Sequence, residues 1–331
     1  MSQPAPGDDC RHPLLRVEDL RVDFHTRSGT VRALDGIGFE LQRGEIMALV
    51  GESGSGKSVT AYAIMGILDA AARITSGRIQ FGGRDLLTVG EKAMRSIRGR
   101  ELAIIFQNPR TALNPIRPVG RQIADILLQH GGVTAAQAPR RAVDMLAKVR
   151  IPDPERRAAA YPFELSGGMC QRVMIAMALA CEPALLIADE PSTGLDITTQ
   201  AVIMDLVVEL VASHNMATLL ITHDLALAAE YCSRIAVMHA GHLVELAPTP
   251  LLFTMPRHPY TAKLIAAMPG EAGRLDMLAA IPGALPDLRR PDLPACRYAE
   301  RCERAAADCR EAPLLRLTSA DGRQIACRHP L

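Results

Sequence analysis

The feature that most constrains this chain is the segment Gly51-Glu52-Ser53-Gly54-Ser55-Gly56-Lys57-Ser58, which follows the apolar run 46–50. It matches the pattern G-x-x-x-x-G-K-[ST] in full, between a strand-like run and a helix-like segment. Small residues allow successive backbone N–H groups to point inward around phosphate oxygens. Lys57 can reach the β- and γ-phosphates, and the Ser58 hydroxyl can bind Mg²⁺. The segment therefore predicts a phosphate-binding loop (P-loop) for a nucleoside triphosphate.

Length and composition narrow the class of protein. The 331 residues can hold one large α/β domain and a smaller extension. A net charge of +1, an aromatic content of 3% and the absence of tryptophan give no basis for a nucleic-acid partner. No run reaches 18 uninterrupted apolar residues, and residues 1–11 lack the order of a signal peptide. We therefore expect a cytosolic chain that does not span a membrane.

Strand-like and helix-like patterns alternate along the chain. Residues 14–24 and 31–41 alternate apolar and polar side chains, which predicts two antiparallel strands. Residues 118–161 have helical periodicity interrupted by prolines, which predicts a helical insertion. Short apolar runs predict buried strands at residues 46–50, 77–81, 101–106, 184–188 and 218–222. The alternation indicates an α/β fold with a parallel sheet covered on both faces.

Two carboxylates, Asp189 and Glu190, follow the apolar run 184–188. Ligands of such sheets lie at the carboxyl ends of the strands. We therefore predict that Asp189 holds Mg²⁺, directly or through water, and that Glu190 polarises the attacking water. The alternative is that both acids cap the next helix, which the following Pro191-Ser192 would also allow.

The segment Leu165-Ser166-Gly167-Gly168 begins a second helix-like stretch. Ser166 can cap that helix, and the two glycines leave its first N–H groups open to an anion. The positive end of the helix dipole favours a phosphate at the same place. An ordinary capped helix would explain an isolated S-G-G equally well, so the phosphate-binding role depends on the neighbouring motifs.

Together these motifs resemble the ATP-binding-cassette (ABC) ATPases, and the resemblance covers most of residues 14–246. Gln107 falls at the position of the family's Q-loop glutamine, residues 192–196 at its D-loop, and His223 at its switch histidine. The resemblance implies ATP and Mg²⁺ as cofactors. It also implies that Gln107 senses the metal and that His223 contacts the γ-phosphate or orients Glu190.

The resemblance further implies a head-to-tail dimer. In such a dimer the P-loop of one subunit and the Ser166–Gly168 segment of the other enclose one ATP. We expect the partner to be a second, related ABC ATPase subunit, which makes a heterodimer rather than a homodimer. One departure concerns the base, because Ser28 stands where the family usually has an aromatic residue that stacks on adenine; Phe24 and His25 are the other candidates.

The C-terminal part resembles the extension of dipeptide/oligopeptide importer ATPases. The resemblance rests on residues 258–265, on Ile281-Pro282-Gly283, and on four cysteines in the last 36 residues. Because relatives with this extension are associated with a [4Fe–4S] cluster, we predict an iron–sulfur cluster held by four thiolates. The predicted ligands are Cys296, Cys302, Cys309 and Cys327. A zinc site and a metal-free extension are the alternatives.

The sequence thus predicts three segments. They are a disordered N-terminus (1–13), an ABC ATPase domain (14–250) with a helical subdomain at about 108–170, and a C-terminal extension (251–331) with the cysteine cluster.

The resemblance implies an ATP-hydrolysing subunit at the cytoplasmic face of a bacterial inner membrane. It would drive two transmembrane permease subunits, fed by an extracytoplasmic solute-binding protein, to take up di- and oligopeptides. The same role for nickel, opines or another small solute is one alternative, and a non-transport ABC ATPase of DNA repair or translation is another. ABC ATPases of DNA repair carry a long coiled coil between these two motifs, but Lys57 and Ser166 are only 109 positions apart. Those of translation usually carry two cassettes in one chain, whereas this sequence contains one.

Overall fold

The computed structural model of the protein describes residues 12–191, 197–268, 281–319 and 321–331. Most of the predicted disordered segment 1–13, and the whole predicted D-loop at 192–196, lie outside the described residues. The chain divides into two compact units. The first unit is Met1–Gln42, Ile46–Leu87 and Leu220–Leu331, and the second is Arg43–Glu45 and Thr88–Leu219.

The strands, in chain order, are β1 (Leu15–Thr26), β2 (Gly29–Leu41), β3 (Ile46–Val50), β4 (Ala72–Phe81), β5 (Arg84–Asp85), β6 (Leu102–Ile105), β7 (Leu185–Asp189), β8 (Ala217–Thr222), β9 (Arg234–His239), β10 (His242–Pro248), β11 (Leu317–Thr318) and β12 (Gln324–Ile325). The helices are α1 (Lys57–Met65), α2 (Glu91–Ile97), α3 (Pro109–Ala112), α4 (Val119–His130), α5 (Ala138–Lys148), α6 (Pro154–Ala158), α7 (Gly167–Leu179), α8 (Ile197–Ser213), α9 (Leu225–Tyr231), α10 (Thr249–Thr254), α11 (Pro259–Ala266) and α12 (Asp308–Glu311).

The first unit contains an antiparallel sheet in the order β2-β1-β4-β5. The two alternating segments predicted as antiparallel strands are β1 and β2, which pair from Leu15↔Leu41 to Thr26↔Gly29. The same unit holds strands in the order β11-β12-β10-β9-β3, where β3 is parallel to β9 and the other neighbours are antiparallel. The pairing is therefore mixed, and the antiparallel hairpin β9–β10 was not predicted.

The strand that leads to the P-loop is buried along most of its length. Met47, Ala48 and Leu49 in β3 are fully buried, as is Ala236 in the neighbouring β9. Strands buried on both faces consist of continuous apolar runs rather than alternating ones, which is why residues 46–50 have this composition. The P-loop therefore begins at the end of a rigid strand.

The second unit contains a parallel strand pair and most of the helices. β6 pairs with β7 from Leu102↔Leu185 to Ile105↔Ala188. Helices α4, α5 and α6 occupy the proline-interrupted stretch predicted to be helical, and α4 packs against both α5 and α7. Across the described residues, no helix is both long enough and apolar enough to cross a membrane.

Candidate nucleotide-binding site

The P-loop joins β3 to α1 and depends on glycine at two positions. Gly51 has a φ of 150°, and a Cβ there would collide with the carbonyl oxygen of Met238 in β9. Gly56 has a φ of 105°, and a Cβ there would lie 2.7 Å from Leu34 Cδ2. Only glycine combines these backbone angles with this lack of space. The glycines of the motif are therefore required by the neighbouring strands as well as by a ligand.

Lys57 is the first residue of α1 and is 5% exposed. Its Nζ donates hydrogen bonds to the carbonyl oxygens of Gly51 (2.8 Å) and Glu52 (3.0 Å). The ammonium group is therefore held across the loop, beside the start of the helix. The residue before α1, Gly56, provides no side-chain cap. The N–H groups of its first turn and its dipole favour an anion at this end, and Ser58 lies in the same turn.

In the second unit, the structure brings Gln107 and Glu190 together although 83 positions separate them. Gln107 follows β6 and Glu190 follows β7, and these two strands are parallel neighbours. The Gln107 amide Nε2 donates a hydrogen bond of 2.7 Å to a Glu190 carboxylate oxygen. Asp189 ends β7 and is 1% exposed. The carboxyl ends of these two strands therefore carry Gln107, Asp189 and Glu190, and the contact between Gln107 and Glu190 was not predicted from the sequence.

Glu190 has a backbone conformation that the sequence did not reveal. Its φ is 48°, in the left-handed region that residues with a Cβ seldom adopt. Such strain costs on the order of 1–3 kcal/mol and occurs preferentially at functional sites. The turn at Glu190 is fixed from another helix as well, because Gln171 Nε2 of α7 donates a hydrogen bond to the carbonyl oxygen of the next residue, Pro191.

Ser166 caps α7, as predicted. Its Oγ accepts a hydrogen bond of 3.3 Å from the backbone N–H of Met169. Gly167 and Gly168 form the first turn, and a Cβ at Gly168 would lie 3.3 Å from Thr199 Cγ2. Ser166 is exposed. The cap accounts for one N–H group of the helix end, and the first turn retains the small side chains that a phosphate contact requires.

His223 is exposed and lies between β8 and α9, in the first unit. The residues on both sides of it form the N-terminal cap of α9. Asp224 accepts hydrogen bonds from the N–H groups of Ala226 (2.9 Å) and Leu227 (3.1 Å). The Thr222 hydroxyl accepts another, from the Asp224 N–H at 2.9 Å. This cap fixes the backbone that carries the histidine.

The C-terminal extension contacts the P-loop directly, which the sequence reasoning missed. The Glu52 N–H donates to the Tyr260 hydroxyl at 3.2 Å, and Arg301 Nη1 lies 3.0 and 3.1 Å from the two carboxylate oxygens of Glu52. A Cβ at Gly54 would touch Leu285 Cδ1 at 3.5 Å. Since 208 and 249 positions separate Tyr260 and Arg301 from Glu52, no local pattern could have revealed these contacts.

The extension also reaches the turn between β1 and β2. The Ser28 hydroxyl, at the position where ABC ATPases usually have an aromatic residue, lies 3.1 Å from Thr26 Oγ1 and 3.5 Å from Arg289 Nη1. The Arg32 N–H donates to the carbonyl oxygen of Leu288 at 3.2 Å. Residues 285–289 therefore run beside both the P-loop and the turn.

A polar cluster around the buried Arg297 joins the extension to β2 and β10. Arg297 is 3% exposed and donates to the Arg32 carbonyl (3.0 Å) and to an Asp35 carboxylate oxygen (3.2 Å). A hydrogen bond with His242, followed by the charges of Arg297 and Arg21, holds the pKa of Asp35 below its usual range. This cluster closes the extension onto the strands beneath it.

Three histidines in this region are almost completely buried, and burial lowers the pKa of each. The pKa values are about 3 for His239, about 4 for His242 and about 3 for His258. All three side chains are therefore neutral at neutral pH. His239 and His258 pack with Tyr298, at ring-centroid distances of 5.2 and 5.8 Å.

A P-loop at the start of a helix, after a buried strand, defines a class of nucleotide-binding proteins. Comparisons with known proteins identify the family within this class. The ABC transporter family model matches residues 34–193, and the model for the oligopeptide/dipeptide transporter C-terminal region matches residues 244–309. The chain is 48% identical over 320 residues to the dipeptide transport ATP-binding protein DppD of Escherichia coli (strain K12), covering 96% of this chain and 97% of that protein.

A second relative, the probable peptide ABC transporter ATP-binding protein y4tR of Sinorhizobium fredii, is 48% identical over 316 residues, covering 95% of this chain and 94% of that protein. Among solved structures, the dimeric ATP-binding cassette MJ0796 in a post-hydrolysis state with ADP and Pi superposes with a TM-score of 0.64 at 24% identity. That match covers 71% of this chain and 98% of that one, and it shows the fold. The chain belongs to the ABC transporter family as an ATPase coupled to transport, which confirms the resemblance and the α/β fold class inferred from its motifs.

The prediction of a [4Fe–4S] cluster is contradicted. A cubane cluster requires four thiolates. The described side chains whose donor atoms lie within 4.8 Å of one another, and so could share one metal ion, are instead Asp308, Cys309 and His329, with a single cysteine. The relative from Escherichia coli is described simply as a dipeptide transport ATP-binding protein.

The surroundings of the cysteines agree with this correction. Cys296, Cys302, Cys309 and Cys327 line one cavity, but its volume is about 20 Å³. A volume of that size holds about one water molecule. Burial raises the pKa of Cys296 to about 11, and also raises the pKa of Cys302 and of Cys327. In the metal-free chain these three thiols are therefore protonated at neutral pH.

Proposed function

We propose that this chain is the ATP-hydrolysing subunit of an importer that couples ATP binding and hydrolysis to the uptake of di- and oligopeptides. The observation that carries the proposal is the geometry of the P-loop, in which Lys57 Nζ lies within 3.0 Å of two loop carbonyls at the uncapped start of α1. The solute class is supported by the relatives, which are named for dipeptide and peptide transport. It is also supported by the match of residues 244–309 to the oligopeptide/dipeptide transporter region.

In this proposal the residues of the P-loop, Gly51–Ser58, surround the phosphates of ATP. Lys57 contacts the β- and γ-phosphates, and Ser58, Gln107 and Asp189 are the Mg²⁺ residues. Glu190 is the general base that activates the attacking water. This role of Glu190 is supported by the hydrogen bond that Gln107 Nε2 donates to its carboxylate. The bond orients the carboxylate, and the amide group is not itself a base. His223 contacts the γ-phosphate or orients Glu190.

The partners follow from the same proposal. Two ATPase subunits form a head-to-tail dimer, in which the Ser166–Gly168 helix start of one subunit completes the nucleotide site at the P-loop of the other. The dimer is a heterodimer with a related subunit. It drives two transmembrane permease subunits at the cytoplasmic face of the inner membrane, and an extracytoplasmic binding protein delivers the solute. An importer for nickel, opines or another small solute would use an ATPase chain of the same design.

Uptake by the transporter reassembled in liposomes tests this function. Permeases, the partner ATPase and the binding protein are combined with this chain, and ATP is supplied on the side of the ATPases. We expect ATP-dependent uptake of radiolabelled di- and tetrapeptides but not of Ni²⁺, and no uptake with Glu190→Gln. The exposed carboxylate Glu182, changed in the matched control Glu182→Gln, should leave uptake intact. Uptake of Ni²⁺ without uptake of peptides would show that the solute is a metal ion and would contradict the proposed peptide substrate.

The dimer is tested separately with Ser166→Arg. A bulky cation at the start of α7 should block the site built on the partner's P-loop and leave ATP binding at this chain's own P-loop unchanged. Nucleotide binding is measured on this chain alone, and hydrolysis on the pair with each partner's P-loop lysine changed in turn. If Ser166→Arg abolished nucleotide binding by the isolated chain, the composite site would be excluded.

A further inference from the structure

Glu52, the second residue of the P-loop, is held at three separate points. Its carbonyl oxygen accepts a hydrogen bond from Lys57 Nζ at 3.0 Å, within the loop itself. Its N–H donates to the Tyr260 hydroxyl at 3.2 Å, and its carboxylate accepts from Arg301 Nη1 at 3.0 and 3.1 Å. Two of the three points therefore come from the C-terminal extension.

Arg301 is not an ordinary surface cation. Its side chain is 5% exposed, and Nε donates a hydrogen bond of 2.8 Å to the carbonyl oxygen of Pro282. The guanidinium carbon lies 5.9 Å from the centroid of the Tyr298 ring, and Nη1 lies 3.2 Å from His239 Nε2. Burial and these contacts fix the guanidinium in one place, which distinguishes this ion pair from the exposed pairs that contribute little.

The charge of Glu52 makes this arrangement consequential. A carboxylate within a loop that binds a triphosphate would repel the phosphates, and the repulsion is strong where burial reduces screening. Glu52 is half-buried in the folded chain. Arg301 provides the opposite charge at hydrogen-bond distance, so the loop presents Lys57 and its N–H groups without an uncompensated negative charge.

We infer that Arg301 and Tyr260 are positioning residues of the nucleotide site, through which the C-terminal extension sets the affinity of the P-loop for the triphosphate. Arg301 neutralises and orients the Glu52 carboxylate, and Tyr260 orients the Glu52 backbone. The inference rests on the proposed function, since it requires the P-loop to bind ATP. The C-terminal extension would then take part in nucleotide binding through its contacts with the P-loop residue Glu52.

Equilibrium binding of ATP and of inorganic tripolyphosphate to the full-length chain, by calorimetry, tests the inference. We expect Arg301→Ala to weaken both ligands by about tenfold or more, because the phosphates meet the unpaired Glu52 carboxylate. The single variant Glu52→Gln is measured as the reference for the double variant. The double variant Arg301→Ala with Glu52→Gln should recover most of the lost affinity, since it removes both charges. A purely structural role of Arg301 would give no such rescue.

Two further variants keep the test decisive if Arg301→Ala folds poorly. Tyr260→Phe removes only the hydroxyl and should weaken both ligands a few fold, and Arg301→Lys should fall between the wild type and Arg301→Ala. The matched control is Arg290→Ala. Arg290 pairs with Asp292 and Glu300 inside the extension, and its loss should leave both affinities unchanged.

The outcomes separate this inference from the proposed function. A wild-type chain that bound neither ATP nor tripolyphosphate would overturn the proposed function. Wild-type binding with unchanged affinity in Arg301→Ala and Tyr260→Phe would overturn the inference alone. Loss of affinity in Arg301→Ala without rescue by Glu52→Gln would also overturn it, because the charge of Glu52 would then be irrelevant.

Discussion

The P-loop and the C-terminal extension meet at Glu52, yet they differ in how their roles are encoded. The P-loop uses residues that are close in the sequence, as in the bonds from Lys57 to Gly51 and Glu52, six and five positions apart. The extension uses partners more than 200 positions away, as in Arg301 with Glu52 and Arg297 with Asp35. A function carried by local backbone geometry is visible in a motif, whereas one carried by distant pairs becomes visible only in the fold.

The largest expected effect concerns Glu190, which, like the P-loop, was predicted from a local sequence motif. Glu190→Gln should lower ATP turnover by roughly 10²–10⁴-fold, as expected for the loss of a general base, while ATP binding stays intact. Turnover is measured by phosphate release from the assembled ATPase pair, and binding by calorimetry. Glu182→Gln changes an exposed carboxylate of the same unit and should have no effect. Near-normal turnover in Glu190→Gln would remove Glu190 from the catalytic role.

The three buried histidines, of which His239 and His242 lie in β9 and β10 and His258 in the extension, give the next largest effect. The pKa values of His239, His242 and His258 in the folded chain, about 3, 4 and 3, lie below the unfolded value of about 6.5. Between pH 4 and 6.5 the unfolded chain therefore binds more protons, and stability falls as the pH falls through 6.5. Each histidine should remove about 2 kcal/mol of unfolding free energy between pH 7 and pH 5.

This pH dependence is measured by urea unfolding at pH 7, 6 and 5. His258→Asn should flatten the dependence by about one histidine's share, and the same change at the exposed His25 should leave it as in the wild type. Equal slopes in the wild type and His258→Asn would show that His258 is not held neutral by its surroundings.

Two glycines with positive φ allow backbone strain to be separated from the specific packing of the P-loop. Gly51→Ala places a Cβ against Met238, whereas Gly83→Ala, at a φ of 78°, places one in open space. Both variants place an alanine in a backbone conformation that residues with a Cβ rarely adopt, at a cost of about 1–3 kcal/mol. Only Gly51→Ala should also weaken ATP binding, by about tenfold or more, as measured by calorimetry. Equal ATP affinities in the two variants would contradict the role of this close approach in shaping the loop.

The smallest expected effect concerns the cap of α7. Ser166→Ala removes the acceptor for the Met169 N–H and should cost about 1 kcal/mol of unfolding free energy. ATP binding at this chain's own P-loop should not change, because Ser166 is proposed to serve the partner's nucleotide. Ser166→Asn, which restores a capping side chain, should regain the lost stability. Weaker ATP binding by the isolated Ser166→Ala chain would contradict this assignment.

Much of the fold was predictable because its signals are local. The alternation in β1 and β2, the buried run before the P-loop and the prolines around α4–α6 each reflect the environment of one element. The hairpin β9–β10 was missed, since its strands are almost continuously buried and neither has an alternating pattern. Its turn, at Ala240-Gly241, contains two positive φ angles that only the structure reveals.

For the candidate site, the sequence motifs and the resemblance predict roles for the P-loop, Asp189, Glu190, Gln107 and Ser166. The hydrogen bond between Gln107 and Glu190 follows from the parallel neighbours β6 and β7. Arg301 and Tyr260 were not found, because a charged residue before a cysteine and a tyrosine in a helix have no feature that specifies Glu52 as their partner. The four cysteines show the reverse error, in which the resemblance of the extension to its relatives suggested a cluster that the arrangement of the described side chains contradicts.

The measurement that tests most directly whether the loop and the extension act as one nucleotide site is hydrogen exchange of the full-length chain with and without ATP. If Arg301 and Tyr260 join them, ATP should slow exchange at the backbone amides of residues 52–58 and also at residues 298–302. In Arg301→Ala the protection of residues 298–302 should disappear, while saturating ATP still protects the loop. Protection confined to residues 52–58 in the wild type would contradict the account.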